Sequence, residues 1–453
     1  MTPYIDKNFD RFVEELKEWL RIPSISADPG HKEDVRCAAQ WAADQLHTLK
    51  MEDVEIIETA GHPLVYAEWL KAVGKPTLLF YGHFDVQPAE RSDGWKSAPF
   101  EPDIRDGQIY ARGATDDKGQ VFAFLKALEA LRQEGEYPLN LKILLEGEEE
   151  TDGASIEAYV PLHKAKLKAD AILVCDSGML SPGLPAIEIG LRGLIYLDVE
   201  VHGAAHDLHS GLYGGVAPNP IHALAVMIAK LRDAEGSLHV PGLMELMPAN
   251  RADEEKFWRD DPLDLASNLR HEMGVSALVG PKDITPLKRV MAWPTLEVHG
   301  IAGGFTGPGT KTVIPAVATA KVSMRLPGGV DLTAAIRLLE QALHAALPAG
   351  YRLNVKILTA GAGIVIDPAG PAMRAAVTAL ERVFGQAPVY VRSGGSIPVV
   401  ALFDRELKVP VVLTGFSLPD DGLHAPNEKF SLDQLRKGIT VIVQFIKEYA
   451  AVN

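Results

Sequence analysis

Thr77-Leu78-Leu79-Phe80-Tyr81-Gly82-His83-Phe84-Asp85 is the stretch that decides the fold, an apolar, β-rich run that ends on an imidazole and a carboxylate. Its first five residues read as a strand buried on both faces. Strand side chains alternate, so His83 and Asp85 lie on one face at its end. Outward from this run, segments of helical and strand period alternate from the start of the chain to about residue 190. Phe9, Phe12, Val13, Leu16, Trp19 and Leu20 form a helical stripe, and Ile22-Pro23 stops it because proline disfavours helical geometry in the residue before it. A second helix follows over roughly 32–48, then β-rich runs at 54–57 and 64–67. Val121, Phe122, Leu125, Leu128 and Leu131 make one helical face, and 139–146 and 171–175 read as further buried strands. The pattern is α/β, a mixed, largely parallel sheet covered by helices.

Near residue 190 the style changes to alternating strands, Gly193 to Val201 and later Thr312 to Arg325. A strand near 351–358 is followed by a return to α/β style, with a helix near 370–384, the run Val411-Val412-Leu413 and a final helix over 431–449. These shifts predict a discontinuous first domain, 1–190 with 361–453, and an inserted α+β domain over 191–360. Within the latter, 236–292 is polar, contains proline and has irregular hydrophobic spacing, so it reads as an insertion of short helices.

The 453 residues include 45 Lys plus Arg and 60 Asp plus Glu, a formal charge of −15. Such a balance argues against nucleic acid as a partner. Apolar residues at 47% and charged ones at 23% describe a soluble globular protein of two or three domains. Acids at 6, 14, 15 and 18 interrupt any secretory apolar region, and no apolar run reaches the ~18 residues of a membrane span. A cytoplasmic protein with no membrane partner is expected. Cys37 and Cys175 are the only cysteines, too few for a disulfide framework or a thiolate site, so a metal would sit on His and carboxylates.

Several segments offer such ligands. His83 and Asp85 have the spacing of a metal-bound imidazole steadied by a carboxylate, although an exposed turn with a capping Asp has the same sequence. Arg112-Gly113-Ala114-Thr115-Asp116-Asp117-Lys118-Gly119 puts two acids in a glycine-flanked turn before a helix, where one could cap but not both. Glu146-Gly147-Glu148-Glu149-Glu150 follows a strand, as does Asp176, and His424 lies in Asp420-Asp421-Gly422-Leu423-His424-Ala425-Pro426-Asn427-Glu428 after the 411–413 run. Each alone fits a solvated or capping role. Together they place the ligand types of a two-metal centre at successive strand ends, where open α/β sheets bind ligands. Gly303 to Gly309 is glycine-rich but lacks the spacing of a phosphate loop.

In this order GHFDVQP, RGATDDKG, EGEEE, Asp176 and LHAPNE resemble the binuclear metallopeptidases that include carboxypeptidase G, aminoacylase, the acetylornithine and succinyl-diaminopimelate deacylases and the carnosinase-like dipeptidases. Asp207-Leu208-His209-Ser210-Gly211, the segment from His299 to Pro315 and Arg392-Ser393-Gly394-Gly395-Ser396-Ile397-Pro398 resemble the carnosinase-like branch, as does the long insertion. The resemblance implies that Asp116 bridges two ions, with His83 and Asp176 on one and Glu150 and His424 on the other. It implies zinc, with manganese or cobalt as alternatives, and a cis peptide between Asp116 and Asp117. Glu149 matches the general base, with Asp85 orienting His83; a slip of one residue would move base and ligand to Glu148 and Glu149. His209 matches a residue that reaches the partner subunit's active site, so the inserted domain is expected to be a lid and to form a homodimer. Arg325, Gly395 and Ser396, with help from Thr312, match the groups that hold the carboxylate of the substrate. A histidine that some carnosinase-like enzymes carry near 365–368 is absent. The expected activity is that of a metal-dependent dipeptidase acting on short peptides with a free C-terminus; the alternatives are an N-acyl amino acid amidohydrolase and an inactive binding homologue.

Overall fold

The computed structural model describes residues 3–151, 153–261, 263–394 and 397–452. Gly395 and Ser396 lie outside the described residues. Contacts divide the chain into two compact units, one of Met1–Ile189, Ile366–Tyr390 and Pro398–Asn453, the other of Gly190–Val365 and Val391–Ile397.

The sheet of the first unit runs in the order Glu52–Ile57, Leu64–Trp69, Asn140–Glu146, Thr77–His83, Ala171–Gly178, Val411–Ser417 and Ala186–Leu191. From Asn140–Glu146 to Val411–Ser417 neighbouring strands are parallel. Antiparallel pairs flank that core on both sides. The uninterrupted apolar character of the core strands follows from burial on two faces. Phe80 stacks on Phe124 of the helix Lys118–Glu134, with ring centroids 3.6 Å apart, while the next residue, Tyr81, meets Phe403 of the helix Pro398–Glu406 edge-on at 5.5 Å. The helices Pro371–Phe384 and Leu432–Ala451 pack together on the Phe124 side. The first helix spans Pro3–Leu20 and so begins a turn and a half before its apolar stripe, with Ile5 buried and proline at its first position, where no N–H is needed. Because the core strands are parallel, their carboxyl ends open on one edge, and His83, the turn after Glu146, Asp176 and the loop after Ser417 all emerge there.

In the second unit Thr295–Gly303, Val317–Leu326, Gly193–His202 and Arg352–Gly361 form an antiparallel sheet in that order. Ile195, Leu197, Val199 and Val201 alternate toward a core shared with the helices Pro220–Leu231 and Leu332–Ala346. The strand expected over 312–325 is two strands. Val313–Ile314 pairs with Leu208–His209, and Val317–Leu326 joins the sheet. Pro315 between them has no N–H to give to a ladder, which is why the pairing breaks there.

The 236–292 stretch contains the short helices Ala252–Asp260, Leu265–Met273 and Pro286–Ala292, with Trp258, Leu287 and Ala292 in a small core of their own. Its Glu254 grips Arg392 in a fork, Nε to Oε1 at 2.6 Å and Nη2 to Oε2 at 2.9 Å, and both side chains are buried. A buried pair of this geometry is sustained only while both partners are present. Glu254→Ala leaves the Arg392 guanidinium stranded and should cost about 3 to 5 kcal/mol of stability, measured as an earlier midpoint in urea. An unmoved midpoint would show the pair to be idle.

Candidate metal centre

Five segments deliver side chains to the open edge of the parallel strands. His83 ends its strand and is wholly buried. Asp116 and Asp117 occupy the turn before the helix Lys118–Glu134, and the peptide between them is cis, as the resemblance implies. Glu148, Glu149 and Glu150 follow the strand that ends at Glu146, and Asp176 lies near the end of Ala171–Gly178. His424 sits in the loop after Ser417 with φ of 59°.

The two oxygens of Asp116 face two imidazoles. Oδ1 is 3.2 Å from His83 Nε2, and Oδ2 is 3.0 Å from His424 Nε2. His83 Nε2 also lies 3.8 Å from Asp176 Oδ1, and His424 Nε2 lies 3.3 Å from Glu150 Oε2. Among the described residues, donor atoms of Asp116, Glu150 and His424 fall within 4.8 Å of one another, as do those of His83, Asp117 and Asp176. Asp117, read from sequence only as a neighbour of Asp116, makes no capping bond; its Oδ2 accepts the His83 N–H at 3.3 Å.

Asp85 does more than its sequence role suggests. Its Oδ1 is 3.5 Å from His83 Nδ1, and its backbone carbonyl is nearer, at 3.1 Å. The carboxylate accepts the N–H groups of Glu149 at 3.2 Å and Glu150 at 3.0 Å, fixing the glutamate turn. Glu148 is turned elsewhere, accepting the Ser155 N–H at 3.0 Å at the start of the helix Ala154–Leu162. Glu149 is half-buried beside a small cavity that Glu146, Ile156 and Leu402 also line.

Some positioning residues escaped the sequence reading. Glu428 is buried, pairs with Arg112 at 2.8 Å and accepts the N–H groups of Gly113, Thr115 and Asp116 at 2.9 to 3.1 Å. Gln87 donates to Glu150 Oε2 at 2.7 Å. Both lie inside recognisable motifs, but their roles depend on partners that sequence spacing does not disclose.

Burial sets the electrostatics. It pushes the Glu150 carboxyl up to about 7, with the charge of Asp116 adding, and it drives Glu149 well above the usual carboxylate range. Burial also acts to raise Asp116, but hydrogen bonds from His424 and His83 win and hold it below that range. Three carboxylates, of which Asp116 faces both imidazoles, and the two imidazoles are oxygen and nitrogen donors suited to two divalent ions. Cys175 contributes no thiolate; it is buried with Ala376 and Phe416 under the opposite helical layer.

His209, Thr312 and Arg325 belong to the second unit. His209 is exposed, its Nδ1 accepts the Gly211 N–H at 3.0 Å, and the adjacent Ser210 N–H donates to the Thr312 carbonyl at 3.0 Å. Arg325 stands on Val317–Leu326 opposite Leu194 and is half-buried.

Residues 79–448 match the profile of Peptidase family M20/M25/M40. The Cys-Gly metallodipeptidase of Schizosaccharomyces pombe is 33% identical over 99% of this chain and 98% of its own length. The human Beta-Ala-His dipeptidase is 32% identical over 99% and 92%. Among solved structures, human carnosine dipeptidase 1 aligns with a TM-score of 0.83 at 32% identity, covering 99% and 98% of the two chains. An M20-family metallo-carboxypeptidase from Sulfolobus solfataricus aligns with a TM-score of 0.86 at 30% identity over 97% and 99%.

Asp116→Asn should weaken both ions, whereas His424→Ala should weaken the one beside Glu150. Glu428→Ala, which releases the backbone under Asp116, should lower metal affinity by roughly 10- to 100-fold. Metal content after dialysis against graded chelator reads all three; parent-like retention by Asp116→Asn would deny that it is shared.

Proposed function

The chain belongs to Peptidase family M20/M25/M40, and from that membership we propose that it is a metal-dependent dipeptidase that hydrolyses the amide bond of short peptides with a free C-terminus. The observation that supports this reading most is the single Asp116 carboxylate facing both imidazoles, with the Glu149 backbone held by Asp85. When bound, two divalent ions, zinc by preference, on His83 with Asp176, on Glu150 with His424, and shared by Asp116, would supply Lewis acidity that lowers the pKa of water and polarises the scissile carbonyl. The Glu149 carboxylate takes the proton from the attacking water and returns it to the leaving amine nitrogen. Burial raises its pKa above the usual carboxylate range, which favours return of the proton to the leaving group. Asp85 holds the backbone of Glu149 and steadies His83.

The remaining roles rest on the resemblance. The Arg325 guanidinium, with Thr312, Gly395 and Ser396, receives the substrate carboxylate as a fork. His209 donates to the developing oxyanion of a partner chain, so the working unit is a homodimer made through the inserted unit. The two cysteines are unpaired, which suits a cytoplasmic setting, and among the described residues no helix is long and apolar enough to cross a membrane.

A hydrolysis screen of zinc- and manganese-loaded protein against unblocked dipeptides and N-acetyl amino acids tests the reading. Dipeptides should turn over, and Glu149→Ala should lower kcat by roughly 10²- to 10⁴-fold without loss of metal. Turnover confined to N-acetyl amino acids would make the chain a deacylase instead. His209→Ala should lower kcat by roughly 10²- to 10³-fold. Mixing inactive Glu149→Ala with inactive His209→Ala should restore activity, because a mixed dimer contains one site with both residues. No recovery from verified mixed dimers would mean that His209 does not act across the dimer.

A further inference from the structure

One half-buried acid of the first unit takes no part in the chemistry above. Glu188 lies on Ala186–Leu191 opposite Leu413, Leu413 lies opposite Val174, and Val174 lies opposite Tyr81. Paired residues of neighbouring strands share a face, so Tyr81, Val174, Leu413 and Glu188 form one row. His83 and Asp176 are two residues further along two of these strands, on the same face and one step nearer the strand ends. Val174 and Leu413 are fully buried, and the row is closed by a carboxylate.

That carboxylate has no visible compensation. Its Oε2 is cut off from solvent with no hydrogen-bond partner, and no Lys or Arg forms an ion pair with it among the described residues. The charge acting on it is that of Asp176, which has the same sign; burial first, and that repulsion second, push its pKa up to about 8. A buried, unpaired charge is unfavourable wherever a neutral side chain could stand. A cation carrying N–H donors would relieve both the burial and the repulsion. Two strand spacings, roughly 10 Å, separate the strand of Glu188 from that of Asp176.

We propose that Glu188 is a specificity-determining residue that receives the free α-ammonium of the substrate's N-terminal residue. The inference rests on the dipeptidase reading and sharpens it. The ammonium is the one cation common to all unblocked dipeptides and favours the ionised carboxylate, while an N-acyl amino acid offers Glu188 no cation and leaves it protonated and unpartnered.

The test compares Ala-Gly with propionyl-glycine, the same molecule without its amine, on the zinc-loaded dimer. The parent should prefer Ala-Gly by roughly 10- to 100-fold in kcat/KM, the worth of a charge-assisted hydrogen bond. Glu188→Gln should raise KM for Ala-Gly by that factor, change kcat little and leave propionyl-glycine unaffected. Its melting temperature should not fall, since the Glu188 Oε2 has no hydrogen-bond partner to lose. Glu188→Asp, which withdraws the charge by one methylene, should raise KM for Ala-Gly alone and keeps the comparison available if the glutamine variant does not fold. Equal losses on both substrates, or no change on either, would overturn the proposal while the dipeptidase reading stands. A parent that cleaves propionyl-glycine but not Ala-Gly would overturn both.

Discussion

Negative charge gathered where water is scarce is the constraint on which the first unit depends. Asp85, Asp116, Asp117 and Glu146 are buried within the same few turns, and Glu150 and Asp176 are nearly so. The nearby positive groups include two imidazoles, Arg112, which is committed to Glu428, and Lys118, whose Nζ is held by the Trp19 and Ile22 carbonyls. Left to themselves such acids protonate, and burial pushes Glu146 up to about 8 and Glu150 to about 7. Asp116 is the exception because each of its oxygens meets an imidazole. A region that penalises carboxylates yet holds one ionised between two histidines has the electrostatics of a centre completed by cations, whose charge inverts the local preference for protonation.

The backbone needed to sustain this crowding is fixed by acids outside the set of candidate ligands. Glu428 meets three consecutive-turn N–H donors under Asp116, and Asp85 meets the two N–H donors under Glu149 and Glu150. Each segment is thus held by a carboxylate from another. Charge-assisted bonds to backbone amides are strong for their length, and they let both acids remain buried without a metal of their own. The strand register supplies the rest, with Gly82 level with Leu145 and His83 level with Glu146 in the parallel ladder.

What was legible in the sequence reflects how directly a pattern encodes its cause. The parallel core could be read because strands covered on both faces must be apolar throughout, and the helices from Lys32 to Thr48 and from Pro371 to Phe384 begin and end within a residue of the bounds read from their hydrophobic spacing. The clustering of ligand types could be read because parallel strands open on one edge. Pro315 should have announced the break in the 312–325 strand, and a reading by alternation alone passed over it. Glu428 was not legible as an organiser, since its partners are backbone amides more than 300 residues away and no side-chain pattern records them. Glu188 was hidden for the opposite reason. An acid within Ala186-Ile187-Glu188-Ile189 fits the polar beat of an alternating strand, and its lack of a partner is visible only in three dimensions.

The run Glu148-Glu149-Glu150 shows how backbone geometry decides what composition leaves open. After Glu146 the chain passes close to the residue between His83 and Asp85. The Phe84 N–H donates to the Glu146 carbonyl at 2.8 Å, and a Cβ on Gly147 would come within 2.8 Å of the Phe84 ring and 3.0 Å of the Pro63 carbonyl. Only glycine fits that passage, so Gly147 fixes where the counting of the glutamates begins. The next residue is carried toward the Ser155 N–H, and the two after it present their own N–H groups to Asp85. A slip of one residue would force a side chain into the space at Gly147, take Glu148 from Ser155 and leave Asp85 one donor out of step. Three chemically identical acids are therefore not interchangeable. The steric limit at Gly147 and the two amides on Asp85 assign them different surroundings before any difference in acidity arises.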